Sequence, residues 1–165
     1  MATFTISIIT ATFNAETTLS YCIESVSEQS VDVEHIIIDG VSTDGTLKTV
    51  EHYRDSLAKV VSEPDAGIYD AMNKGLKLAT GDVIGILNAD DFYASSDVLK
   101  KVANVFSEPD VDACYGDLVY VDSKDLNKVT RYWHSGNFNV RKFYLGWMPP
   151  HPTFFVRRSV YEKYG

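Results

Sequence analysis

Gly81–Tyr93 reads GDVIGILNADDFY, and this stretch decides the fold. Val83, Ile84, Ile86 and Leu87 make a short apolar run of the kind that is covered on both faces in a parallel sheet. The run stops abruptly in a polar segment with two adjacent carboxylates, Asp90 and Asp91. They therefore belong at the strand's C-terminal end, where open α/β sheets bind ligands. Two neighbouring carboxylates repel each other, and a shared cation is a simple reason to hold them together. Hard oxygen ligands suit Mg²⁺ or Mn²⁺. A second reading stays open here, an acid pair that complements the dipole of a helix starting near Ser96.

Outward from this stretch, strand-like and helix-like patterns alternate, the signature of βαβ units and a largely parallel sheet. Phe4 to Thr12 reads as a strand, and Thr17 to Gln29 as a helix with Leu19, Cys22, Ile23 and Val26 on one face. His35 to Asp39 is a second strand. Ser42, Thr43 or Asp44 can cap a helix running to about Ser56. Lys59 to Ser62 is a short strand, and Ile68, Met72, Leu76 and Ala79 mark one buried helical face. Beyond the acid pair, Ser95 or Ser96 caps a helix with Val98, Leu99, Val102 and Phe106 inward. Asp112 to Tyr115 and Leu118 to Asp122 read as strands, with Val129 to His134 as an antiparallel return. Phe138, Phe143, Tyr144, Trp147, Pro149 and Pro150 suggest an aromatic-rich loop or short helix near a binding surface. The closing SVYEKYG reads as a helix stopped at Gly165 without an evident following element, so a longer parent chain is expected.

The 165 residues, 45% of them hydrophobic, fit one domain with a sizeable core. A net charge of −8 argues against a general electrostatic grip on nucleic acid. A phosphate-bearing ligand would then need a metal or a local cluster of donors. Cys22 and Cys114 lie far apart without metal-type spacing and read as free thiols. With no apolar run of membrane-spanning length and no leader pattern, the chain reads as cytoplasmic, with only peripheral association at the inner face of the membrane.

No GxGxxG follows the first strand and no GxxxxGK[ST] occurs, so the two commonest nucleotide sites of parallel sheets are absent. Polar groups collect instead at three strand ends: Thr12, Phe13 and Asn14; Asp39; and Asp90 with Asp91. Three convergent ends make one pocket.

SIITATFN, IIIDGVSTDGT and EPDAGIYDAMNKGLKLATGDVIGILNADD, in this order and spacing, resemble the family 2 glycosyltransferases, among them bacterial cell-surface polysaccharide glycosyltransferases. The resemblance covers nearly the whole chain. It implies the GT-A fold, a Rossmann-like α/β architecture with a mostly parallel sheet flanked by helices and a small antiparallel portion toward the C-terminus. It further implies a donor-nucleotide half over residues 1–93, the start of an acceptor half over 94–165, and a nucleoside-diphosphate sugar donor, a UDP-sugar first. The acceptor implied is a glycan or a lipid-linked sugar.

Carried over position by position, Thr12, Phe13 and Asn14 match the loop lying against base and ribose, and Asp39 the acid that hydrogen-bonds the base. Asp90 and Asp91 match the family's DXD-type motif, whose usual first acid is here Asn88, so the metal contact is assigned to Asp90 and Asp91. Gly40 stands where a second acid often follows Asp39. Asp65 reads as turn or ligand contact, and Asn73 and Lys74 as ligand contacts or a solvated helix face. Lys74 lies in the strongly matching region and could add charge to the diphosphate, as could Arg141 or Arg157.

Sugar transfer with inversion also needs a general base for the acceptor hydroxyl. The family's usual carboxylate lies in an acidic stretch beyond the segment resembling HPTFF, so Asp117 and His151 are the candidates in this chain. His151 can equally be a satisfied loop histidine. His35, His52 and His134 read as surface or strand-edge residues. Tyr132, Trp133, Phe143, Tyr144 and Trp147 read as core in preference to a sugar-stacking face. A nucleotide-sugar-binding module that transfers nothing is the alternative to an enzyme. A nucleotidyltransferase is disfavoured because ATFNAE stands where a Gly- and Arg-rich phosphate loop would follow the first strand.

Overall fold

A computed structural model describes residues 4–165. Strands β1 (Ile6–Thr12), β2 (Val33–Asp39), β3 (Lys59–Ser62) and β4 (Val83–Ile86) form the parallel part of a six-stranded sheet. Its order is β3-β2-β1-β4-β8-β5, with β5 (Ala113–Cys114) and β8 (Phe155–Arg157) at one end. β8 runs antiparallel to both of its neighbours. A separate hairpin, β6 (Leu118–Asp122) and β7 (Asp125–Trp133), makes the small antiparallel portion. The mostly parallel α/β architecture anticipated from sequence is therefore the one observed.

β1 is buried along its whole length, as a central strand covered by helices on both faces must be. Its alternation divides the core. Ile6 and Ile8 join Leu19, Cys22, Ile23 and Val26 of α1 (Leu19–Ser27), Val50 of α2 (Thr46–His52) and Leu99, Val102 and Phe106 of α4 (Val98–Phe106). Ile9 and Ala11 face the other way, with Ile36, Ile38 and Ile84, against Ala71 of α3 (Ile68–Leu78) and Tyr161 of α6 (Arg158–Tyr164). The result is three layers, helix, sheet and helix. Helix α3 comes unusually close to β1 because Gly75 faces it: a Cβ there would lie 2.3 Å from Ile9 Cγ2.

Several local expectations shift. β1 begins at Ile6, and β5 shrinks to two residues. The helix after β2 starts at Thr46, with Gly45 in the cap position, and gives way to a 3₁₀ turn over Arg54–Ser56. Asp97, not Ser95 or Ser96, is the cap residue of α4, and the Ser95 hydroxyl donates to the Asp97 carboxylate at 2.6 Å. The hairpin turn tightens around Ser123 and Lys124, because Asp122 pairs with Asp125. β8 has no counterpart in the sequence reading; three residues among prolines and arginines carry too little period to show a strand. His35 is not at an edge. It is 2% exposed in the central strand β2, and its Nε2 shares a 3.0 Å hydrogen bond with the Thr10 hydroxyl. Burial pushes its pKa down to about 3, so it stays neutral. Cys22 and Cys114 are free thiols.

Candidate functional site

Thr12 and Asp39 end β1 and β2 opposite each other in register. The loops that follow them are laced together. The Asn14 amide N–H donates to Ser42 Oγ at 2.9 Å, the Thr43 N–H to Asn14 Oδ1 at 2.9 Å, and the Ala15 N–H to Thr46 Oγ1 at 2.8 Å. This cross-bracing holds two residues in the left-handed region, Asn14 at φ 51° and Val41 at φ 63°. Asparagine tolerates that conformation; a β-branched valine is strained in it, and such strain gathers at ligand-binding loops.

Asp39 anchors this arrangement from below. It is fully buried; one carboxylate oxygen accepts from the Ser42 hydroxyl, and the other accepts from the Ser42 N–H at 3.1 Å and the Ser62 hydroxyl at 2.6 Å. Those contacts make it the brace that ties the ends of β2 and β3 to the loop. Beside it Gly40 leaves room for Asp65: a Cβ on Gly40 would stand 2.7 Å from Asp65 Oδ2. Asp65 also accepts from the Gly67 N–H at 2.8 Å, which shapes the turn before α3.

Thr12, Phe13, Asn14, Gly40, Asp65 and Asp90 line a cleft of about 790 Å³. Thr12 is 4% exposed, yet its hydroxyl has no hydrogen-bond partner. A buried hydroxyl left unpaired is costly, and at the wall of a cleft it marks a contact kept for a ligand. Phe13 is 63% exposed at the same wall.

The acid pair follows β4 in a tight turn, closed by the Asp91 N–H donating to the Asn88 carbonyl at 3.0 Å. Asp90 is exposed and Asp91 half-buried. Burial raises the Asp91 pKa, the negative charge of Asp90 adds to the rise, and a hydrogen bond from Asn88 opposes it. The Asn88 amide nitrogen lies 2.8 Å from Asp91 Oδ2 and 3.0 Å from His151 Nε2, so one side chain joins the acid pair to a histidine 63 residues away. Its own Oδ1 is buried without a partner. A hard divalent cation fits this donor set of two crowded carboxylates and an orphaned amide oxygen. Among the described residues no three His, Cys, Asp or Glu side chains converge on one metal position, so ligand oxygens and water would complete such a shell.

Asn88 and Asp90 also face a second, larger cleft of about 1180 Å³, bounded by Asn73, Asp91, Asp117 and His151. Of the sequence-derived site residues, four line neither cleft: Asp39, Lys74, Arg141, and Arg157, whose guanidinium donates to the carbonyls of Val111, Phe106 and Glu108. Asp39 supports the cleft from beneath. Lys74 lines neither cleft: its ammonium donates to the Pro64 carbonyl at 2.6 Å and pairs with Glu63 at 3.0 Å and Asp70 at 3.5 Å. Asp117 accepts from the Ser135 N–H at 2.8 Å and from His134 Nδ1 at 3.2 Å, and these bonds lower its pKa.

The aromatic residues depart from the sequence reading. Tyr132, Phe143 and Tyr144 are exposed, at 64%, 43% and 88%, so they are not core. Trp133 and Trp147 are half-buried, and Trp133 lines the larger cleft. Asn88 is the residue the sequence reading undervalued, as a neutral stand-in for an acid. Its signal was its place three residues before Asp91, the spacing of a turn that closes on itself.

A family model described as Glycosyl transferase family 2 matches residues 7–165. The PGL/p-HBAD biosynthesis glycosyltransferase of Mycobacterium bovis (strain BCG / Pasteur 1173P2) is 32% identical over 170 residues, which is 100% of this chain and 64% of that relative. Among solved structures, Staphylococcus aureus TarS 1–349 in complex with UDP-GlcNAc superimposes with a TM-score of 0.74 at 22% identity, over 96% of this chain and 46% of that one. The mannosyltransferase PcManGT from Pyrobaculum calidifontis, in complex with GDP-Man and Mn²⁺, gives 0.73 at 22% identity, over 97% and 46%. At these identities the structures establish a common fold, and the chain spans about two thirds or less of each relative's length.

Proposed function

This chain belongs to glycosyl transferase family 2, and from that premise we propose that it moves a sugar from a nucleoside-diphosphate donor to an acceptor hydroxyl, with inversion at the anomeric carbon. The observation that carries the proposal is the meeting of two clefts at Asn88 and Asp90, one walled by the laced loops after β1 and β2, the other open toward Asp117 and His151. The smaller cleft takes the nucleotide. Phe13 offers a face for the base, Thr12 an unpaired hydroxyl, and Asn14 and Asp65 polar edges, while Asp39 fixes the loop that shapes the pocket. Asn73, which borders the larger cleft, would contact the sugar, and Lys74 keeps the turn before α3 in place through Glu63, Pro64 and Asp70.

Asp90 and Asp91 form the DXD-type element and would hold Mg²⁺ or Mn²⁺. When bound, that ion supplies Lewis-acid stabilisation for the charge that develops on the leaving diphosphate. The chain's own part is to orient the donor so that its anomeric carbon faces the larger cleft. There the acceptor oxygen bonds to that carbon as the carbon–diphosphate oxygen bond breaks, and the hydroxyl proton passes to a base. Asp117 and His151 both line the cleft. The hydrogen bonds that lower the Asp117 pKa weaken it as a base, and the Asn88 amide N–H donates toward His151 Nε2 at 3.0 Å, so His151 would take the proton at that nitrogen only once this bond opens. The same weakness supports a second reading, a module that holds the nucleotide sugar without transferring it. The donor is a UDP-sugar in the first instance, and the acceptor a glycan or a lipid-linked sugar.

Thermal shift with UDP-, GDP- and TDP-sugars, with and without Mn²⁺, combined with detection of released nucleoside diphosphate, tests the reading, since ligands that bind only the native state raise its stability. Stabilisation together with turnover supports the enzyme. Stabilisation with neither transfer nor donor hydrolysis selects the binding module. No stabilisation by any donor contradicts both.

A further inference from the structure

Among the described residues no helix is long and apolar enough to cross a membrane, but one surface is built as if to rest on one. Between Phe138 and Met148 the chain exposes Tyr144 at 88%, Leu145 at 86%, Met148 at 69% and Phe138 at 64%. Scattered exposed apolar residues are ordinary; a contiguous set is not. Nor is the segment loosely held. The Trp147 indole N–H donates to the Ser135 carbonyl at 3.2 Å, and its ring packs edge-on to Phe143 at 5.3 Å and Tyr115 at 5.6 Å. Asn139 caps the short helix α5 (Val140–Phe143) by accepting from the Arg141 N–H at 2.9 Å. An inner aromatic layer thus supports an outer one: Phe138 packs edge-on to Phe143 at 6.0 Å and to Trp147 at 6.5 Å, while Tyr144, Leu145 and Met148 stand largely exposed.

Charge singles out the same region. From Leu126 to Tyr161 the sequence holds six Lys and Arg residues and no acid, in a chain whose net charge is −8. Lys128 pairs with Asp122 at 3.3 Å, Arg158 with Glu162 at 2.6 Å, and Arg157 turns to backbone carbonyls, which leaves Arg131, Arg141 and Lys142 without an acidic partner among the described residues. Arg141 and Lys142 sit inside the apolar segment, and Arg131 on β7, the strand that precedes it in the chain. We propose that this basic, aromatic rim docks on an anionic lipid surface. Aromatic and aliphatic tips flanked by cations are the chemistry of interfacial binding, in which apolar burial and attraction to acidic headgroups act together. A symmetric dimer through this face is a poorer occupant, since it would bring one basic patch against another. Gly146 and Met148 belong both to this segment and to the wall of the larger cleft, which Pro149 and Pro150 continue. Docking would therefore bring the cleft mouth to the bilayer, which suits a lipid-borne acceptor; that extension rests on reading the larger cleft as the acceptor side.

Flotation with phosphatidylglycerol–phosphatidylcholine vesicles, against phosphatidylcholine alone, tests the proposal directly. The wild-type chain should float with the anionic vesicles and be released by high salt. Tyr144→Ser with Leu145→Ser, and separately Arg141→Gln with Lys142→Gln, should each weaken binding about tenfold. Thermal unfolding should match wild type in both variants, and Mn²⁺-dependent UDP binding should match it in the Tyr144/Leu145 variant. No binding of the wild type to anionic vesicles overturns the proposal. So does undiminished binding by both variants, or a concentration-dependent dimer lost in the Tyr144/Leu145 variant without vesicle binding. Nucleotide-sugar turnover, measured without lipid, fails or succeeds independently of these results.

Discussion

The side-chain amide of Asn88 donates to Asp91 across 2.8 Å, and the same nitrogen stands 3.0 Å from His151 Nε2. A neutral residue where an acid is usual therefore has a physical consequence. It lowers the repulsion in a turn that already holds two carboxylates, and it offers Asp91 a donor. Asn88→Asp replaces that donor with a third negative charge. The metal-free variant should lose roughly 1–3 kcal/mol of stability, and Mn²⁺ should raise its melting temperature by more than it raises that of wild type. Equal Mn²⁺ responses would show that Asn88 does not govern charge at this turn.

Thr12 separates ligand contact from stability. Its buried hydroxyl has no partner, so Thr12→Val removes an unsatisfied group with little change in shape. The variant should melt at or above the wild-type temperature, while affinity for UDP with Mn²⁺ falls about five- to tenfold, the value of roughly one hydrogen bond. Calorimetric titration beside thermal unfolding checks both arms.

Gly75 tests the seat of α3. A methyl group 2.3 Å from Ile9 Cγ2 cannot be accommodated without moving the helix away from β1. Gly75→Ala should cost roughly 1–3 kcal/mol through overpacking, after the roughly 1 kcal/mol that alanine's helix propensity returns. The melting temperature should drop by roughly 2–10 °C.

His35 predicts a pH dependence. Folding holds its pKa near 3, below its ordinary value of 6.5, because burial disfavours the cation. Between those values the unfolded chain binds a proton that the folded chain excludes, so stability rises with pH through the window and is lost on acidification below 6.5. The limiting slope is about 1.4 kcal/mol per pH unit. Urea unfolding of His35→Gln from near-neutral pH down to about pH 5, above the range where ordinary carboxylates titrate, should show a flatter profile than wild type.

The parallel half of the fold was legible because each central strand carries an unbroken apolar run and each helix a 3.6-residue period. That held for the bounds of β1, β2, β4 and α3 to within a residue or two, but not for the whole buried face of α3: Ile68 is 48% exposed and lines both clefts, and Ala71 and Gly75 are the residues the helix buries. β8 was not legible: its three residues become a strand only by pairing with Val83–Gly85 and Ala113–Cys114, far off in sequence. Composition made Phe143 and Tyr144 look like core, but Phe143 meets only the local ring cluster of Phe138 and Trp147 and stays 43% exposed, and Tyr144 is 88% exposed. His35 was missed because a polar side chain in a buried run is explained only by the hydroxyl of Thr10 on the next strand. In the site, strand-end positions such as Thr12 and Asp90 could be read directly, whereas the link between Asn88 and His151 depends on the path of the chain through the C-terminal third.

Mn²⁺-dependent binding of UDP to Asp91→Ala, measured by calorimetric titration beside wild type, tests the central claim most directly. Wild type should bind UDP more tightly with Mn²⁺ than with EDTA, and the variant should lose that difference while its unfolding stays cooperative. A variant that keeps both its UDP affinity and its Mn²⁺ dependence would contradict the assignment of the metal and diphosphate site to the turn after β4.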